Sequence, residues 1–200
     1  MAKAIRLRPT IQNGDWLLFR RRTGADPVAA AIGIGGRSPY YHAGMAAWIN
    51  DRLFCVEVKQ FVGGRVALVE NLLVDPNVAI DVRHILTKKY DRQLAVNGML
   101  GLTGKPYGWH ALWRTILSKG VFFRWFIRPS TDDGSNGTAP YCSMGVSRES
   151  RKAGFDPASL LGDAWTEPGD LGRVPEVLAP CVGTLSVVKG KLVLRREVIE

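Results

Sequence analysis

The sequence predicts one domain of mixed strands and helices, and three observations predict it. Strand-like segments joined by short turns fill the first part of the chain, between Trp16 and Val82. Stretches with helical spacing follow at 88–102, from about 109, and at 142–153. A last hairpin closes the chain near 184–197, outside a body spanning 13–172. Two hundred residues suffice for a single domain with a real core.

Residues 1–9 form a basic lead-in, and Gln12-Asn13-Gly14-Asp15 reads as a turn. Trp16-Leu17-Leu18-Phe19 is the first buried strand. Arg20-Arg21-Arg22 reads as a solvated edge, with an anion-binding patch as the sharper alternative. Residues 27–34 suit a short helix stopped by Gly33, Gly35 and Gly36. The second strand covers 41–49, where Ala43, Gly44, Ala46 and Ala47 leave room for another element to approach. Asn50-Asp51 is a hairpin turn into a third strand at 53–58. Alternation puts Phe54, Val56 and Val58 on one face and Leu53, Cys55 and Glu57 on the other. Fourth and fifth strands follow at 65–69 and 78–82.

The helix at 88–102 ends at glycines. An aromatic helix with Leu112, Trp113, Ile116 and Leu117 is expected after the turn Gly104-Lys105-Pro106-Tyr107-Gly108-Trp109. Phe122, Phe123, Trp125 and Phe126 read as core, with a substrate-facing or membrane-facing wall as the alternative. Residues 130–138 are loop-like in composition. They lead into a helix at about 142–153 capped by Gly154, and 162–180 is rich in Pro and Gly.

Composition narrows the function classes. An apolar fraction of 46% and a charged fraction of 22% are those of a globular chain. No apolar run approaches the ~20 residues of a membrane helix. No export signal is legible, so a cytoplasmic location, or delivery by another route such as a particle, is the expectation. Three cysteines argue against a disulfide framework, and Cys55 and Cys181 read as buried small hydrophobes. His42, His84 and His110 show no metal-ligand spacing with the cysteines, so neither a metal nor a cofactor is expected. The net charge of +9 suits plain solubility, an anionic cell-wall polymer or an anionic lipid. Nucleic acid ranks last, because no recognisable recognition module accompanies the charge.

The chemistry centres on Cys142. A thiol becomes a good nucleophile as thiolate, and a helix N-terminus and a neighbouring imidazolium both lower its pKa. Cys142 opens a helical stretch after Pro140-Tyr141. His42 is the best base, on a strand of small residues, and an imidazole base needs an acceptor for its second nitrogen. With a turn at Asn50-Asp51, His42 falls opposite residues 57–59, so Glu57 can be that acceptor. Each residue alone has a plainer reading: a structural thiol, a hydrogen-bonded core histidine, a buried ion pair.

The order of the motifs adds a resemblance. Gly14-Asp15-Trp16-Leu17-Leu18-Phe19, Ser38-Pro39-Tyr40-Tyr41-His42-Ala43-Gly44-Met45 and Val56-Glu57-Val58 with Gly64-Arg65-Val66 come first. Gly104-Lys105-Pro106-Tyr107-Gly108-Trp109, Tyr141-Cys142-Ser143-Met144-Gly145-Val146 and Thr166-Glu167-Pro168-Gly169-Asp170-Leu171 follow. In that order they resemble the circularly permuted branch of the NlpC-type papain-like hydrolases, the YiiX-like group related to the lecithin–retinol acyltransferase family. The resemblance implies an α+β, permuted papain-like fold, with an antiparallel sheet or small barrel against the nucleophile helix. It implies a Cys142–His42–Glu57 site that cleaves or transfers at an amide, ester or thioester. Tyr107, Tyr141 and Ser143 are the expected substrate contacts. Gly108 departs from the family's aspartate and Met144 from its glutamate. A non-catalytic structural or particle-associated protein on the same fold is the rival expectation.

Overall fold

A computed structural model describes residues 7–21, 37–109, 139–157 and 162–195. The helix expected at 27–34, the aromatic helix beyond Trp109, the cluster at 122–126 and the loop at 130–138 lie outside the described residues. The fold is α+β. Seven strands form one antiparallel sheet in the order β4-β3-β2-β1-β5-β6-β7. They are β1 (Trp16–Arg21), β2 (Tyr40–Ile49), β3 (Arg52–Lys59), β4 (Gly63–Leu68), β5 (Val78–Arg83), β6 (Cys181–Val188) and β7 (Lys191–Arg195). The sheet is open, with β4 and β7 at its edges, rather than a barrel.

The first strand of the sequence is the middle strand of the sheet, which explains its unbroken apolar run. Trp16 and Leu18 enter one core, while Leu17 and Phe19 enter a second on the opposite face. Alternating side chains buried on both sides leave no polar face to alternate with. The first core is roofed by α3 (Arg92–Leu100) and α4 (Cys142–Lys152), which contribute Val96, Met99, Met144 and Val146. The second is covered in part by Ile11, which follows α1 (Leu7–Thr10), and by Leu72 of α2 (Val69–Leu72). Truncating a buried leucine or methionine in either core costs about 2–5 kcal/mol.

Local chemistry sets the connections. Asn50 and Asp51 both adopt positive φ, as does the pair Lys189-Gly190, giving two-residue hairpins whose twist matches the strands. The helix expected at 88–102 begins later, because the Asp91 carboxylate accepts the N–H of Leu94 and caps α3 there. Tyr90, just before it, donates instead to the Gly14 carbonyl. Val69, expected to end the fourth strand, opens α2. Within the Pro/Gly-rich stretch a short helix, α5 (Pro168–Gly172), is set by a capping box between Glu167 and Asp170.

Two expectations about single residues are corrected. Arg20 and Arg21 are not a solvated edge: Arg20 pairs with buried Asp81 at 2.8 Å, and Arg21 lies over the Tyr41 ring. Cys181 is exposed rather than buried, because it opens β6 where the register with β5 slips between Val82 and Arg83. Met144 is fully buried, a core residue of α4.

Candidate active site

The site forms at one end of the β2–β3 pair. Glu57 pairs with Gly44 across the ladder, and His42 lies two residues beyond Gly44, so both side chains leave one face of the sheet. His42 Nε2 meets Glu57 Oε2 at 2.5 Å. A Cβ at position 44 would fall 2.3 Å from the Cys55 sulfur, so only glycine allows this approach of the two strands. Between β1 and β2 the register slips: Phe19 pairs with His42 but Arg20 with Tyr40, leaving Tyr41 as the extra residue of a bulge. Such bulges re-aim neighbouring side chains, and here the His42 ring lands edge-on against Phe19 at 4.9 Å.

The thiol arrives from the other side. Paired residues of β2 and β3 run from Gly44↔Glu57 to Ile49↔Arg52, and both strands continue past the first pair. The N-terminus of α4 meets the sheet at this end. Cys142 is its first residue, with no side-chain cap on Tyr141 before it. The sulfur lies beside the His42 ring and the backbone N–H groups of Ser143 and Ala43. With Nε2 committed to Glu57, Nδ1 is the ring nitrogen left for the sulfur.

The electrostatics favour an ion pair. Burial pushes the Cys142 thiol up, but the neighbouring His42 charge and the backbone N–H groups of Ser143 and Ala43 outweigh it and hold the thiol below its usual pKa. Burial works against charge on His42 too, yet the Glu57 carboxylate and the Cys142 sulfur hold the imidazole well above its ordinary range. Glu57, despite burial, is drawn down to about 2 by His42 and Arg65. Sulfur, imidazole and carboxylate thus stand in series, each favouring the charged form of its neighbour.

Arg65 is the participant that sequence reasoning missed. It stands directly across from Glu57 on β4 and binds the second carboxylate oxygen, with Nε at 2.7 Å and Nη2 at 2.6 Å. The signal was available: a three-residue turn at 60–62 sets the Glu57↔Arg65 register.

The expected substrate contacts divide. Tyr141 and Ser143 are fully buried, and both hydroxyls donate to the Thr166 carbonyl, at 3.1 and 2.8 Å. Their side chains therefore anchor the start of α4 to the segment before α5 instead of facing a substrate. Tyr107 does reach the site. Its buried hydroxyl lies beside the sulfur and Gln60 without a well-directed hydrogen bond to either. Burial, and then the negative charge at Cys142, raise its pKa and keep it protonated. At Gly108 a Cβ would sit 2.0 Å from the Ala139 carbonyl oxygen, so the backbone contact that positions the approach to Cys142 excludes any side chain there.

On the sheet face away from α4, a cavity of about 660 Å³ reaches the site from behind. Its walls include His42, Glu57 and Arg65, with Lys59 and Gln60 beside them and Phe19 and Leu72 farther in. Among the described residues no group of three or more His, Cys, Asp or Glu could hold a metal ion, and no helix is long and apolar enough to cross a membrane.

Comparison with known proteins adds little. No protein-family model matches the sequence, and no curated protein matches it. Among solved structures, the metalloprotein YiiX of Escherichia coli O157:H7 is similar, with 19% identity over 72% of this chain and 67% of that one and a TM-score of 0.48.

Proposed function

We propose that this protein is a cysteine hydrolase or acyltransferase acting on an amide or ester through an acyl-enzyme. The observation that carries the reading is a helix-start thiol beside an imidazole that Glu57 holds at 2.5 Å. The Cys142 thiolate attacks the carbonyl carbon, and the electron pair moves to the carbonyl oxygen. Backbone N–H groups of the first turn of α4, that of Cys142 foremost, are the donors for this oxyanion, and the protonated Tyr107 hydroxyl is close enough to assist. As the tetrahedral species collapses, the imidazolium proton passes to the leaving amine or alkoxide, leaving a thioester. Water or another acceptor then gives a proton back to His42 as it attacks, and the acyl group leaves the sulfur. Glu57, fixed by Arg65, keeps the ring oriented and supports its charge throughout.

A second reading has one observation in its favour. Cys142 is only 1% exposed, which suits a binding or particle-associated protein that keeps the fold without turnover.

Alkylation by iodoacetamide across pH separates the two. The catalytic reading expects Cys142 to react as a thiolate well below pH 8, as roughly set by an ordinary thiol pKa near 8.5, and to lose that reactivity in His42→Ala. A Cys142 that is inert, or no more reactive than an ordinary thiol, overturns it.

A further inference from the structure

The hairpin between β3 and β4 presents a feature that neither the core nor the thiol chemistry explains. Its tip carries Phe61, 83% exposed, and Val62, 58% exposed. Phe61 holds φ at +62°, a left-handed conformation that a bulky side chain adopts only at a cost. Glycine or asparagine would fit this backbone better, yet the turn spends an aromatic ring on solvent. The ring is steadied by Trp109 at 4.8 Å, which in turn stacks on Tyr107 at 4.9 Å, so the tip and the site share one aromatic line. Exposed Lys59 precedes the tip, and exposed Lys105 lies beside it, its carbonyl bonded to the N–H of Gly64. The cavity behind His42 is lined in part by Lys59 and Gln60.

We infer that this tip docks the protein on an anionic lipid bilayer, with Phe61 and Val62 entering the interface and Lys59 and Lys105 meeting the headgroups. An aromatic and an aliphatic side chain flanked by cations are complementary to such a surface, and the net charge of +9 acts in the same direction. Resting on the hydrolase reading, the substrate is then an acyl ester of an anionic lipid. The docking itself does not depend on the thiol.

The test is sedimentation of the full chain with vesicles of phosphatidylcholine alone and of an equal mixture with phosphatidylglycerol. Binding is expected to the mixed vesicles only, and to weaken as salt screens the lysines. Phe61→Asn should bind about ten- to a hundredfold more weakly, the equivalent of one buried aromatic side chain. Its unfolding temperature should stay level or rise, because asparagine accepts the positive φ. Val62→Ser should show a smaller loss, and Lys59→Glu about a fivefold one. Cys142→Ala should bind like the wild type. Failure of the wild type to bind mixed vesicles, equal binding by Phe61→Asn, or Phe61-dependent self-association in place of vesicle binding would each overturn the inference. Absent vesicle binding beside a reactive, His42-dependent thiol removes the lipid and leaves the thiol chemistry standing. Vesicle binding by a chain with an inert Cys142 supports the docking and removes the hydrolase.

Discussion

The molecule contains the same trio twice. Near the start of β1, Asp15 holds His84 Nδ1 at 2.9 Å and Arg92 Nη1 at 2.6 Å. On β3, Glu57 holds His42 Nε2 at 2.5 Å and Arg65 at 2.6 Å. Both carboxylates are buried. The difference lies in what surrounds each one. Asp15 also accepts the backbone N–H groups of Gln12 and Ile85, and Arg92 spends its remaining donors on the carbonyls of Asn13 and Ile85. That trio knots three chain segments together and ends on backbone. The Glu57 trio accepts no such backbone bonds in the described set, and His42 continues to a sulfur at a helix N-terminus. A carboxylate between histidine and arginine is thus not a sign of catalysis. The thiol beside the His42 imidazole is what distinguishes the two.

The sharpest way to break this comparison is to remove each carboxylate. Asp15→Ala should cost about 3–5 kcal/mol in denaturant unfolding, the usual penalty for stranding a buried ionic partner, while the pH profile of Cys142 alkylation in the folded fraction stays unchanged. A shift of that profile would merge the two trios into one functional unit. Glu57→Gln should do the reverse. It withdraws a charge-assisted hydrogen bond from the imidazolium, so alkylation near neutral pH should fall about 10- to 100-fold, from about 1.5–3 kcal/mol. Its stability effect has a defined pH window. The folded pKa of Glu57 lies near 2, below the ordinary 4.5, so its contribution is complete above the unfolded value and fades as the pH falls toward 2. The difference in stability between wild type and Glu57→Gln should therefore shrink across that acidic window, as measured by denaturant unfolding. Arg65→Met is the mildest case, because Glu57 keeps His42 and the arginine is 29% exposed. About a fivefold loss of thiol reactivity is expected, equivalent to a solvent-screened pair worth about 1 kcal/mol.

Much of the site was legible before any coordinates. The Asn50-Asp51 turn fixed the β2–β3 register, and that register alone brought His42 and Glu57 to one face. The sheet was legible as strands but not as an order, since nothing local says that β1 pairs with both β2 and β5. The bulge at Tyr41 left no trace, because a one-residue slip depends on the neighbouring strand. Tyr141 and Ser143 looked like substrate contacts because proximity to Cys142 in sequence says nothing of direction; their hydroxyls point to Thr166, which only tertiary packing brings near. Gly108 and Met144 looked like losses against a family pattern. In the structure each fills a packing role, one beneath the Ala139 carbonyl and one in the core.

The placement of the trio on β2, β3 and β4 also has a consequence for how the protein comes together. His42, Glu57 and Arg65 lie on one meander of consecutive hairpins, contacts of short sequence separation that form early and fast. Cys142 follows His42 by 100 residues and reaches it only when α4 docks. On a growing chain the acid–base half exists long before there is a sulfur to activate. In the proposed mechanism, activation of Cys142 is therefore a late property of the molecule, complete only with the long-range fold, and an unfinished or misfolded chain would carry an ordinary thiol.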